Sequence, residues 1–369
     1  MLSMAKARIL APWVGKEEKS AIYHCVSRVV ERRFHFKKLE KEQFVKFMRL
    51  YEAFCGLRVL SYCVMSNHFH LLVEVPPRPE GGLSDEALLD RLRLVMPSAE
   101  VEVVANALAL LSSAATTAEG RFAYEQLRER YLSRMWDLGK FMKSLKQRFS
   151  RWFNKTHQRK GTLWEERYNS ALIEDGYVAR VTAAYIDLNP VRAGMVRDPK
   201  DYRWCSYAEA VAGSPIARLG IARVLEKCDS EPAVQQLIEA ADVNDRYAWR
   251  KIAGRYRLSL YEDARAPGES LQAQVQQGSK RSRRKGFSEK EIEREQARSG
   301  ELSAAALVSH RARFLIQGAV IGSQSFVNGV ISQLNENGYW PKPRVSRAGK
   351  CPHSVRKMPV YTLRHLQLE

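Results

Sequence analysis

His68 and His70 stand on either side of Phe69 in the stretch Tyr-Cys-Val-Met-Ser-Asn-His-Phe-His-Leu-Leu-Val-Glu-Val, residues 62–75. The run from Phe69 is apolar, rich in β-formers and closed by Pro76-Pro77, the pattern of a strand. Residues i and i+2 of a strand share one face. A chain with this run must therefore place two imidazoles side by side on one face of a largely apolar strand, close enough to hold one metal ion. Alone, the pair is weak evidence for a metal, because most His-x-His pairs in strands are structural or accidental.

Local patterns around this strand give a β-α-β-β order. Residues 20–32 read as a strand. Lys41 to Phe54 has helical spacing, with Phe44, Phe47, Met48 and Tyr51 on one side. Leu57 to Met65 and Phe69 to Val75 are two strands joined at Ser66-Asn67. Residues 76–135 read as a helical insertion, entered through Pro-Pro-Arg-Pro-Glu-Gly-Gly and started by Ser84 as an N-cap. Gly161 to Glu174 reads as a strand or hairpin. Asp175 to Leu188 reads as a helix stopped by Asn189-Pro190. Asp201 to Gly213 closes a first domain, 1–213, and 214–369 reads as a mainly helical C-terminal accessory region. In that region Ile221–Ala240 and Tyr247–Tyr261 are helical, Ser288 and Glu291 form a capping box, and a compact unit runs from Arg313 through a helix over Gln324–Asn335.

Charge narrows the class of partner. Lys and Arg number 60 against 41 Asp and Glu, a net +19 over 369 residues, which favours a polyanion, nucleic acid first. Gly139 to His157 is the clearest helix, with Phe141, Met142, Leu145, Phe149, Trp152 and Phe153 in one stripe. Lys140, Lys143, Arg148, Arg151 and Lys155 lie off it, and no acid falls between Lys140 and Lys160. A solvated face normally mixes signs, so this one suits a phosphate backbone. Lys280 to Lys285 holds five basic residues of six, either a DNA-binding arm or a solvated linker. No apolar run reaches the ~20 residues of a membrane span, and Met1 to Leu10 lacks the apolar region of a signal peptide. The six cysteines are scattered without a CxxC pair, which points to a reducing cytoplasm.

Tyr185 shares a helical face with Val178, Val181 and Leu188, and Asn189 follows one turn later. Core aromatic and helix cap are the ordinary readings of these two residues. Together with the histidines, however, they resemble a known family. His68-Phe69-His70 matches the His-hydrophobic-His signature of the HUH single-strand nucleases. The segment from Tyr185 to Gly194, Tyr-Ile-Asp-Leu-Asn-Pro-Val-Arg-Ala-Gly, looks like the nucleophile helix of the REP-associated tyrosine transposases, relatives of the single-tyrosine insertion-sequence transposases. Tyr23-His24-Cys-Val-Ser-Arg28 looks like that family's first strand, and Gly161 to Tyr168 like the strand before its nucleophile helix. The resemblance spans about residues 18–213.

It implies an α+β fold: a ferredoxin-like antiparallel sheet palm with helices on one side. It implies Tyr185 as nucleophile, with His68, His70 and Asn189 as ligands of Mg²⁺ or Mn²⁺. Single-stranded or hairpin DNA would be cut and rejoined through a 5′-phosphotyrosine by a monomer or homodimer. Trp164 and Arg167 fall near such a site, and Tyr168 is a fallback nucleophile. The rival readings are a domesticated protein that binds hairpin DNA without cutting, and a hydrolase drawing on Glu74.

Overall fold

The computed structural model describes residues 9–15, 18–30, 36–226, 245–262, 318–339, 349–350 and 361–364. The basic run 280–285, the capping box at Ser288 and Glu291 and the helical stretch expected over 227–240 lie outside these.

A mixed sheet organises the molecule. Its first four strands are β1 (Ala21–Arg28), β2 (Arg58–Val64), β3 (His68–Val75) and β4 (Asn169–Ile173), with α1 (Lys38–Cys55) crossing between β1 and β2. These strands lie in the order β2-β3-β1-β4 and every pair is antiparallel. The sheet continues through β5 (Gly318–Gly322), which pairs parallel with β4, and then through β7 (Tyr361–Arg364) and β6 (Gly349–Lys350). The α+β architecture expected from the sequence is present. The sheet is mixed rather than wholly antiparallel, because β5 enters beside β4 in the same direction.

Helices cover both faces, where the sequence reading placed them on one. The strands themselves require this. All of β1 up to Ser27 is buried, and so is all of β3 after His68. A strand apolar on both sides needs a layer against each face. Tyr23, Cys25, Phe69, Leu71 and Val73 face the first layer, which holds α1 and α5 (Leu138–Thr156). Residues of the insertion, α2 (Asp85–Arg93), α3 (Ser98–Ala114) and α4 (Ala118–Leu132), extend that core. Ser84 caps α2 as expected, its hydroxyl accepting from the Ala87 amide. Ile22, Leu72, Ala171 and Ile173 face the second layer, built from α6 (Tyr177–Asp187), α8 (Ser206–Val211), α9 (Pro215–Glu226) and α10 (Arg246–Glu262). The short α7 (Asn189–Arg192) follows α6, and α11 (Gln324–Glu336) packs on the first layer.

Close approach fixes the second layer. A Cβ at Gly220 of α9 would lie 2.7 Å from the Leu60 carbonyl oxygen of β2, so only glycine lets this helix lie on the strand. Three residues on, Arg223 reaches Glu74 of β3 and Asp175, each at 2.8 Å.

Candidate active site

Alternation along β3 sends Phe69 into the first core and the histidines to the other face. Phe69 is anchored there by Phe44, ring centres 4.5 Å apart, and by Trp164 at 5.6 Å. The hairpin at Ser66-Asn67 is closed by the Met65 amide donating to the His68 carbonyl at 2.8 Å. His68 and His70 then stand with ring centres 5.0 Å apart.

The register of β1 brings further side chains to this face. Arg28 is directly opposite His68, Val26 is opposite His70, and His24 is opposite Leu72. The His24 Nε2 lies 3.0 Å from the His70 Nδ1, with both rings almost wholly buried. On β2, Cys63 pairs with His70. Burial pushes its thiol well above the ordinary range, so it stays protonated and is a poor ligand.

Helix α6 lies across the same face. Ala179, Ala183 and Ala184 are fully buried, and small side chains let the helix sit close to the strands. Tyr185 meets both histidines of the inner row edge-on, with ring centres 5.7 Å from His70 and 6.1 Å from His24. The Arg192 guanidinium lies over the Tyr185 ring at 4.5 Å. Two residues after the tyrosine, buried Asp187 locks the helix end. It accepts from the Ser206 hydroxyl at 2.6 Å, the Tyr207 amide at 3.0 Å and the Tyr256 hydroxyl at 2.6 Å.

The donor chemistry suits a divalent cation. His68 Nδ1 lies 2.7 Å from the Asn67 side-chain oxygen Oδ1. That oxygen only accepts, so the proton is on Nδ1 and the Nε2 lone pair remains. Burial, reinforced by Arg28, lowers the His68 pKa to about 4. Burial, followed by the neighbouring His68, His24, Arg28 and Arg192, holds His70 well below its usual value. Both rings are therefore neutral at pH 7, the form that ligates metal. The Asn189 amide nitrogen donates to the carbonyls of Tyr185 at 2.9 Å and Ile186 at 3.2 Å, so its side chain caps the end of α6 and its Oδ1 takes no part in these bonds. Among the described residues no three His, Cys, Asp or Glu side chains form a metal-holding cluster.

Other expected site residues fall elsewhere. Lys140, Lys143, Arg148, Arg151 and Lys155 are exposed on α5, which packs in the first layer, across the sheet from the histidines. Arg167 is exposed in the segment leading to β4. That segment borders the site, because the Glu165 amide donates to the Arg28 carbonyl at 2.9 Å. Trp164 is core, packed on Phe36, Phe69 and Phe149, so it does not offer a stacking face. Tyr168 belongs to the first core, on the wrong side to replace Tyr185. Glu74 is occupied by Arg58 at 2.9 Å and Arg223 at 2.8 Å.

The sequence reading assigned no role to His24, Arg28, Asn67 or Arg192. The first two carry a usable signal: His24 and Arg28 share a face of β1 by their even spacing, and β1 is the strand beside β3.

Residues 18–80 match the family described as "Transposase IS200 like". A solved structure of a REP-associated tyrosine transposase bound to a REP hairpin is similar at 13% identity, with a TM-score of 0.34, covering 59% of this chain and 90% of that one. No curated protein matches. No described helix is long and apolar enough to cross a membrane. The matched segment, which supplies His24, His68 and His70 to this face of the sheet, is similar to the IS200-like transposases.

Proposed function

We propose that this chain is a DNA transposase that cuts and rejoins single-stranded hairpin DNA through Tyr185, with His68, His70 and Asn189 holding Mg²⁺ or Mn²⁺. The observation that carries the reading is the packing of Tyr185 against His70, ring centres 5.7 Å apart, from helix and strand segments more than a hundred residues apart. A tyrosine nucleophile needs an activating base or a metal beside it, and a neutral imidazole is a metal ligand.

The step balances simply. The Tyr185 Oη attacks the scissile phosphorus in line, its proton passing to solvent. The bond from phosphorus to the 3′ oxygen breaks, and that oxygen takes up a proton as a free 3′-hydroxyl. The 5′-phosphotyrosine conserves the ester, so a second 3′-hydroxyl can attack it and release the tyrosine without ATP. A bound divalent cation supplies charge neutralisation at the phosphate. His68 and His70 orient that charge, Asn189 adds a neutral oxygen, and Asp187 keeps the nucleophile helix in place. Such neutral donors accept Mg²⁺ or Mn²⁺, with imidazole favouring Mn²⁺.

We assign the chemistry to residues 1–213 and an accessory role to 214–369, in a cytoplasmic protein that works as a monomer or homodimer. The exposed bases of α5 and Arg167 are the proposed backbone contacts. With Glu74 held by two arginines, activation of water by that carboxylate has no support.

The test is incubation of the full chain with labelled hairpin DNA from the flanks of its own gene and Mn²⁺, followed by a denaturing gel. A slow-migrating adduct lost with Tyr185→Phe and with chelator is the expected result. Binding without an adduct would favour the non-cleaving hairpin binder.

A further inference from the structure

We propose that His24 is a positioning residue: it accepts a hydrogen bond from His70 and so fixes the tautomer in which the His70 Nε2 carries the lone pair. The purpose of this contact rests on the metal-assisted reading above; the contact itself does not.

The geometry is that of a hydrogen bond in the ring plane. The two nitrogens are 3.0 Å apart, the planes are inclined by only 19°, and the ring centres are 5.3 Å apart. Face-to-face stacking would bring the centres closer; an in-line N–H···N contact gives this spacing. One of the two rings must donate. If His24 donated, His70 would accept at Nδ1 and carry its proton on Nε2, leaving no lone pair for a ligand. If His70 donates, its Nε2 is open. One feature favours the second arrangement. The neighbouring His68 already bonds through Nδ1, to the Asn67 Oδ1, so both imidazoles then present Nε2. Metal-binding histidines are commonly held by such a contact to the other ring nitrogen. Here the acceptor is another imidazole, from the neighbouring strand.

Two measurements on the full chain test this. In the metal-free protein, long-range ¹H–¹⁵N correlation of labelled imidazoles reports the tautomer directly. A proton on the His70 Nδ1 is expected; a proton on Nε2 overturns the assignment. This arm needs no variant, so it stands even if His24 substitutions fold poorly. Mn²⁺ affinity is then followed by electron paramagnetic resonance. His24→Phe, which cannot accept, should weaken binding about 10–100-fold. His24→Gln, whose carbonyl oxygen can accept, should restore most of the loss. Equal affinity in wild type and His24→Phe, or equal weakness in both variants, overturns the role. If wild type binds no Mn²⁺ while the His70 Nδ1 is protonated, the metal reading fails and the tautomer assignment stands.

Discussion

The Arg192 guanidinium sits 4.5 Å from the centre of the Tyr185 ring, one helix beyond the residue it covers. A cation on an aromatic face contributes about 0.5–1 kcal/mol where exposed, so its value for folding is small. Its position beside the proposed nucleophile gives it a larger role. Arg192→Gln is expected to slow adduct formation by roughly a hundredfold, the scale of losing one charge-stabilising donor, with little change in melting temperature. Single-turnover kinetics at saturating DNA measure it; an unchanged rate would remove Arg192 from the site.

Asp187 makes stability depend on pH. Burial is the main cause that raises its pKa to about 6, against hydrogen bonds from Ser206, Tyr256 and Tyr207 that lower it. The folded state thus keeps a proton that the unfolded carboxyl gives up near pH 4. This contribution is fully present below about pH 4 and is lost as pH rises through about 6, a total of roughly 3 kcal/mol. Urea unfolding of wild type and Asp187→Asn across pH 4–7 should show that slope in the difference between the two, because the pH dependence of His68 and His70 is common to both.

Glu74→Gln separates structure from chemistry. The Glu74 side chain is 1% exposed and meets Arg58 and Arg223. Removing one partner of a buried pair costs about 3–5 kcal/mol, and a lower melting temperature is expected. Below that temperature the DNA adduct should still form at the wild-type rate. Loss of cleavage in a folded variant would revive an acidic water-activating site.

Gly220→Ala should destabilise the protein by roughly 1–3 kcal/mol, the cost of overpacking, because its new methyl meets the Leu60 carbonyl. Gly194, where a Cβ meets nothing, has φ +70 and tests backbone strain alone. Chemical unfolding of the two alanine variants distinguishes crowding from strain.

The basic face of α5 lies across the sheet from Tyr185. Lys143→Gln and Arg151→Gln should weaken single-strand binding uniformly across sequences. Each lost phosphate contact should reduce the salt slope by about 0.7. Cleavage at saturating DNA should not change. Fluorescence anisotropy over a salt series checks this; unchanged slopes would leave α5 as a solvated surface.

The histidine strand and the tyrosine helix were legible because each obeys a local period. Phe69 alternates with His68 and His70, and Asn189-Pro190 ends α6 where the pattern predicts. The second helical layer was not legible as such. Its signal was the unbroken burial of β1, which in one sequence reads as an apolar run without a direction. His24 went unassigned for the same reason: inside a continuous strand, nothing local says which neighbour its face will meet. The pairing of β5 with β4 joins residues far apart in sequence, and no short pattern encodes such a partner. The α5 bases were correctly read as an exposed face, but which side of the sheet that face occupies is a tertiary fact.

The anchoring of Asp187 also bears on modularity. One of its three hydrogen bonds comes from Tyr256 on α10, and α10 also sends Arg257 to Asp198 at 2.8 Å. Cutting the chain after residue 213 would therefore remove a clasp on the very helix that presents Tyr185. A minimal fragment drawn at that boundary would keep every proposed reacting group and lose part of the frame that aims one of them. Fusions, truncations and recombinants of this protein are best designed with α9 and α10 treated as part of the support of the Tyr185 helix rather than as an appended module.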